Sequence, residues 1–410
     1  MKIFFKTSMM LVLSFTLSAH TQNDIESIKS FKPPVKLLSA NQWPRFSDDL
    51  LGQEMQLALF RQIRKFKSLN LNHSIQFDQH KFSSNIIPAS ILAFQKFFNE
   101  WKDCITEPQT KKVLCNDQLN QRLKRNFNLY RPKDQDAKKA SLFTAYYTPT
   151  IEAKLHPEGD YQWGIYRRPQ ERKLLDYDRI DIDFKKKLQF SAYDLVYTKD
   201  LFDNYVLQIQ GGGRLKIINE NGVHYQYISY EGTNGKRWRY ISKYMKKKGY
   251  IKNLSNASQK RFLNANPNKW EEIYSYCPSY VFFRPTEHPP LGSELTPLTN
   301  GRSIATDNGL YAFKGGLSFI QGSMPFRDEN GSTKFKRFNR FFIDHDTGGS
   351  IKGNARADLF MGEDAAAEFA ANNFYSRGNM FFLVLKPEKK KVWLEVLDRL
   401  KTIASSPKTS

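Results

Sequence analysis

The residues best placed to do chemistry are a few acids set among glycines near the C-terminal end. The stretch FFIDHDTGGSIKGNARADLF, residues 341–360, carries Asp344, Asp346 and Asp358, and Asp307 stands upstream in SIATDNG. Carboxylates among glycine-punctuated β-formers either hold turns or move protons. Asp beside Gly is ordinary turn chemistry, and Asp364 in GED is read that way. The other acids differ because Gly348, Gly349 and Gly353 permit tight backbone paths. Asp346 and Asp358, 12 residues apart, then converge if the chain between them folds back. Lys352 and Arg356 place cations in the same stretch. A cation touching an acid favours its charged form, so these two are expected to pair with Asp346 or to bind substrate, leaving Asp358 as the acid.

Two other motifs could bind a ligand. TAYYTPTIEA presents Thr144, Tyr146, Tyr147 and Thr148 in one predicted strand. Aromatic faces pack on sugar rings and hydroxyls bond ring substituents, yet an alternating half-buried strand with Tyr in the core explains the same residues. QIQGGGRL sets Gln210 and Gly212 at a glycine triplet after a predicted strand. No GK[ST] continuation and no βαβ unit follow, so a phosphate cradle is a weak reading. Glycines also let a long polymer lie against the backbone. In YEGTNGK, Asn234-Gly235 is a turn signal.

These residues must be held by a scaffold, and 410 residues, 40% of them hydrophobic, suffice for a sizeable core and two domains. SDDLLGQEMQLALFRQIRKFKSL reads as an amphipathic helix capped at Ser47, with Leu51, Met55, Leu59 and Ile63 at helical spacing. PASILAFQKFFNEWKDC reads as a second helix opened by Pro88. From Leu142 short β-branched and aromatic runs take over, among them YQWGIYRR, YDLVYTK, NYVLQIQGGGRLKII and VHYQYISYEG. Two helical stretches follow, then VFFRP, the proline-marked link HPPLGSELTPL, a second β-rich block, the helix GEDAAAEFAANNFYSRG and a final strand NMFFLVLKP.

The first residues have a secretory layout, with Lys2 and Lys6 ahead of the apolar run Met9–Ala19. No cysteine follows that run to accept a lipid. In an oxidising compartment Cys104 and Cys115 are close enough in sequence for a small disulfide loop, while Cys277 in an aromatic run reads as a buried thiol. No Cys/His spacing suits a metal, and no cofactor is expected. The net charge of +22 would suggest nucleic acid in a cytoplasmic protein. For an exported one it points to the wall polymer or an anionic envelope surface, and nucleic acid is not expected as a partner.

YYTP, IYRRP, QIQGGGRL, YEGTNG, NPNKW…PSYVFFRP, GRSIATD and DTGGSIKGNARADLFMG occur in this order. Together they resemble the membrane-bound lytic transglycosylase A family of peptidoglycan-cleaving enzymes, over roughly Ser47 to Pro387. The resemblance implies a mainly β, α+β fold: a double-psi β-barrel with an inserted second β-barrel-like domain, and a deep groove between them. It divides the chain into a signal peptide at 1–19, a helical first part at 20–149, the insert at 150–287, the barrel at 288–400 and a disordered tail at 401–410. The family's catalytic Asp falls on Asp358, and Asp346 and Asp307 match its two further acids. Sugar contacts map onto Thr144, Tyr146, Tyr147, Gln210 and Gly212, with Thr148 and Lys352 beside them. The implied partner is the glycan strand, met by a monomer. Serine often interrupts the family's glycines where this chain has GGG, which bears on one groove contact. A wall hydrolase using two Asp and a non-catalytic wall-binding protein are the competing readings.

Overall fold

The structure is a computed structural model that describes residues 30–405, except 67–72, 107–111, 138–139, 290, 294, 312–313 and 349–350. The expected signal peptide lies outside the described residues. The N-terminal part comprises β1 (Ser30–Phe31), β2 (Val35–Leu37), α1 (Met55–Phe66), the hairpin β3 (Ser74–Phe77) and β4 (His80–Ser83), α2 (Ile86–Ile105), α3 (Lys112–Asn126), β5 (Phe127–Pro132), α4 (Lys133–Ala137) and β6 (Ser141–Tyr146). The first expected helix starts at Met55, seven residues later than its Ser47 cap would set it. Asp48 and Asp49 do not serve a helix end; two arginines from distant strands claim them. Arg302 grips both oxygens of Asp48 at 2.6 and 2.8 Å, and Arg340 both oxygens of Asp49 at 2.9 and 2.7 Å. The chain then turns through left-handed φ at Leu51, Gly52 and Glu54, and Leu51 is exposed rather than core. Met55, Leu59 and Ile63 do line the buried face of α1. In α2, Pro88 stands in the first turn, where its missing N–H is harmless. The Cys104–Cys115 disulfide ties α2 to α3, and Cys277 is a buried free thiol.

The inserted part holds β7 (Thr150–Lys154), β8 (Trp163–Tyr166), β9 (Asp194–Thr198), α5 (Leu201–Gln210), β10 (Gly212–Asn219), β11 (Gly222–Thr233), α6 (Ile241–Lys247), α7 (Asn256–Ala265), α8 (Trp270–Ser275) and β12 (Val281–Thr286). Its six strands form one sheet in the order β12-β11-β10-β7-β9-β8. The sheet curls until its ends nearly meet: Tyr280 Oη, just before β12, donates to the Gly164 carbonyl of β8 at 3.1 Å. NYVLQIQ, expected as strand, is helix α5. Asp200 caps it by accepting from Phe202 N, and Gly211, at φ 73°, ends it in the left-handed conformation that glycine adopts without a Cβ penalty. The glycine triplet thus closes a helix before it opens a strand. Val206, Leu207 and Tyr205 turn to the insert's cores, so tertiary burial outweighs their β preference.

The last part contains β13 (Ser303–Thr306), β14 (Leu317–Arg327), β15 (Thr333–Thr347), β16 (Arg356–Phe360), α9 (Ala365–Asn373), β17 (Tyr375–Leu385) and α10 (Lys390–Ser405). These strands and β6 make a ring, β14-β15-β13-β16-β6-β17, closed by β17 pairing back to β14. Two pairings are parallel, β13 with β15 and β16 with β6. Gly378 allows the closure, since a Cβ there would run into the Gln321 carbonyl of β14. Phe319, Phe341, Ile343, Leu359 and Leu383 fill a core continuous with α1 and α2. The expected tail is helical as far as Ser405, because α10 seats Leu397 and Trp393 on that core; residues 406–410 lie outside the described set. Among the described residues no helix is long and apolar enough to cross a membrane.

Both side chains of the Asp48–Arg302 pair have no exposed area. Removing one partner strands a buried charge, which costs about 3–5 kcal/mol. Asp48→Ala should therefore lower the unfolding free energy by about that much in a urea titration, whereas loss of an exposed pair such as Arg45–Asp117 should cost under about 1 kcal/mol.

Candidate active site

Asp358 lies at the centre of β16, and the strand register decides its neighbours. Parallel pairing puts Thr144 of β6 opposite Asp358 on one side, and antiparallel pairing puts Ala305 of β13 opposite it on the other. Ala305 in turn pairs with Asp346 of β15. Thr144, Asp358, Ala305 and Asp346 thus form one lateral row across four strands, with Ala305 the small member between the acids.

Period-two alternation places Arg356 on the same face as Asp358. Arg356 donates from Nη2 at 2.9 Å and from Nε at 3.2 Å to Asp358 Oδ1, and from Nη2 to Thr144 Oγ1 at 2.8 Å. Thr144 Oγ1 also donates to Asp358 Oδ1. Among the described residues, none of these bonds uses Oδ2, and the side chain keeps 21% of its area exposed. This overturns the expectation that Arg356 serves Asp346 or the substrate: two residues apart in a strand, it meets Asp358. Lys352, 71% exposed, reaches Asp307 at 3.8 Å instead.

Asp346 is held by the Ser293 and Thr347 backbone N–H groups, at 2.9 and 2.8 Å, and by Tyr146 Oη at 3.0 Å. Burial raises its carboxyl above the ordinary range against these hydrogen bonds. Tyr146 packs its ring 5.3 Å from that of Phe360. Its hydroxyl is pushed well above its usual pKa by burial and by the nearby acids, and so stays a donor. Asp307 has a turn-holding role in the structure. It accepts from Gly309 N at 3.0 Å and from Gly353 N at 2.8 Å, which pins the glycine loop before β16. Asp344 faces the other way, into the core, where Thr306 Oγ1 donates to it at 2.6 Å and Lys314 pairs with it at 3.3 Å.

The remaining sequence candidates spread out. β6 ends at Tyr146, so Tyr147 and Thr148 leave the strand. Tyr147 turns into a cavity of about 320 Å³ between insert and barrel, lined also by Asp203, Lys260 and Glu368. Thr148 is buried, and its N–H donates to the Gly362 carbonyl. Gln210 is exposed at the end of α5, and Gly212 is buried at the start of β10. A junction missed from sequence lies just past β16. Glu363 accepts from Tyr227 Oη at 2.8 Å and pairs with Arg214 at 3.3 Å, tying the insert to the strand that carries Asp358. Asp364 caps α9 by accepting from Ala367 N, so it opens a helix rather than holding the turn expected of it. Among the described residues no group of three or more His, Cys, Asp or Glu is placed to hold a metal.

A closed six-stranded barrel interrupted by a curled sheet, with a row of acids on its outer wall, defines the class of protein. The model of the MltA specific insert domain matches residues 142–284, and that of the 3D domain matches 302–384. Membrane-bound lytic murein transglycosylase A of Escherichia coli K12 is 30% identical over 249 residues, 60% of this chain and 66% of the relative; the Vibrio cholerae protein of that name is 27% identical over the same shares. The aligned part thus spans about two thirds of these relatives. The crystal structure of E. coli MltA with bound chitohexaose superposes with a TM-score of 0.64 at 23% identity, covering 86% of this chain and 95% of that one. The membrane-bound lytic murein transglycosylase of Agrobacterium tumefaciens gives 0.60 at 19% identity, covering 88% and 99%. The chain belongs to the membrane-bound lytic murein transglycosylase A family.

Burial raises Asp344 from its ordinary value to about 6. A folded-state pKa above the unfolded one means that this group favours folding in full below about pH 4, and that the contribution is lost as pH rises through about 6. Asp344→Asn should remove this slope, so the fall in unfolding free energy between pH 4 and pH 7 should be smaller in the variant than in the parent.

Proposed function

We propose that the protein is a lytic transglycosylase that cuts peptidoglycan between N-acetylmuramic acid and N-acetylglucosamine, leaving a 1,6-anhydromuramoyl end. The observation that carries the reading is a single partly exposed carboxyl, Asp358, set between a hydroxyl and a guanidinium in a row with a second acid. Asp358 first protonates the glycosidic oxygen as the C1–O bond breaks. The muramoyl C6 hydroxyl then attacks C1 of its own ring and returns its proton to the same carboxylate. No water is consumed and no protein nucleophile is needed, because the attacking oxygen is already tethered. Arg356 is hydrogen-bonded to the Asp358 carboxyl, so the incoming glycan must draw the guanidinium off before the acid step. In the second step the same cation suits the carboxylate that accepts the proton. Asp346, neighboured by Tyr146, faces the positive charge that develops at C1. Thr144 and Tyr146 line the sugar's approach. Membership in the family supports this reading, as does the disulfide, which fits an exported protein in an oxidising compartment.

The two acids in one row also suit a hydrolase, in which Asp346 would serve as base or nucleophile. Product mass separates the two readings. Digestion of purified murein should release muropeptides one water lighter than hydrolysis products, and reducing muramic ends would rule the transglycosylase out. Asp358→Asn should lower the cleavage rate by roughly 10³-fold with glycan binding retained. Lysis at the parent rate by that variant would remove Asp358 from the mechanism.

A further inference from the structure

In an unbroken strand Asp344 and Asp346 would share one face, since side chains alternate with period two. They do not. In the parallel pairing of β13 with β15, Ile304 faces Asp344 but the next residue, Ala305, faces Asp346, so the register slips by one residue at His345. Ile304 and Thr306 lie on the core side, and Asp344 joins them there, bonded to Thr306. Ala305 lies on the side of Asp358, and Asp346 joins that row.

The bulged residue is fastened at one point. His345 has no exposed area, and its Nδ1 lies 2.7 Å from Ser303 Oγ. Ser303 Oγ also accepts from Thr299 N at 2.8 Å, and its proton and second lone pair let it pair with Nδ1 in either ring tautomer. Nε2 is buried without a partner among the described residues. Burial lowers the imidazole to about 3, which keeps the ring neutral. A buried, unpaired ring nitrogen is a poor way to stabilise a core. Bulges beside active sites commonly re-aim a side chain.

We infer that His345 is a positioning residue: its bond to Ser303 locks the bulge that turns Asp346 away from Asp344 and into the row with Asp358. This rests on the transglycosylase reading for its kinetic consequence, though not for its structural one. His345→Leu keeps the bulk but removes the bond, while His345→Asn can present an amide to Ser303 where Nδ1 stood. With purified murein, His345→Leu and Ser303→Ala should each lower kcat roughly 10-fold or more with KM within about twofold, as small misplacements do. The double variant should be no worse than either single one, and His345→Asn should recover most of the rate. Full kcat in either single variant, additive losses, or an Asn variant no better than Leu would overturn the inference. If His345→Leu fails to fold, Ser303→Ala decides by the same measure. A crystal structure of whichever variant folds tests the claim independently of catalysis: the Tyr146–Asp346 bond should be lost, and its survival would overturn the inference even if the reaction assigned to Asp358 were wrong.

Discussion

Closure of the six-stranded ring is the constraint on which the rest depends. A closed sheet has no edge strand to slip, so each strand's register is fixed from both sides. That rigidity aligns side chains from β6, β16, β13 and β15, which come from widely separated parts of the chain, in a single row. The ring also sets the limits of variation. Gly378 must stay without a side chain for β17 to approach β14, and Ala305 must stay small between two acids.

Around the ring, charge pairs do different work according to their burial. Asp48–Arg302 and Asp49–Arg340 pin the N-terminal segment across the barrel, and α1 packs where they leave it. At the junction Glu363 binds Arg214 and Tyr227 of the insert, while Thr150 donates to the Glu363 carbonyl at 3.0 Å. The insert is thereby referenced to the residues just after β16. Most of the basic surplus is exposed and diffuse, and contributes a field more than any one contact.

In the proposed reaction, opposing demands meet at Asp358. A proton donor gains from burial, and a proton acceptor gains from a nearby cation. The site supplies partial burial and Arg356 together. Thr144 donates to the same oxygen as Arg356 and helps hold the carboxyl in place.

Much of the local chemistry was legible in the residues alone. The Asn234–Gly235 turn, the buried stripes of α1 and α2 and the disulfide partners follow from short-range rules of side-chain period and chain proximity. Arg356 is not among them: expected to serve Asp346 or the substrate, it meets Asp358, since residues two apart in a strand share a face. Three matters were settled only by the tertiary structure. NYVLQIQ became helix because Asp200 and Gly211 cap it and the insert's cores take its apolar side chains. The start of α1 moved because Arg302 and Arg340, far along the chain, claim the acids that would have opened it. Which acids stand together depended on a one-residue slip between β13 and β15, and no periodicity along one strand records where its neighbour's register breaks.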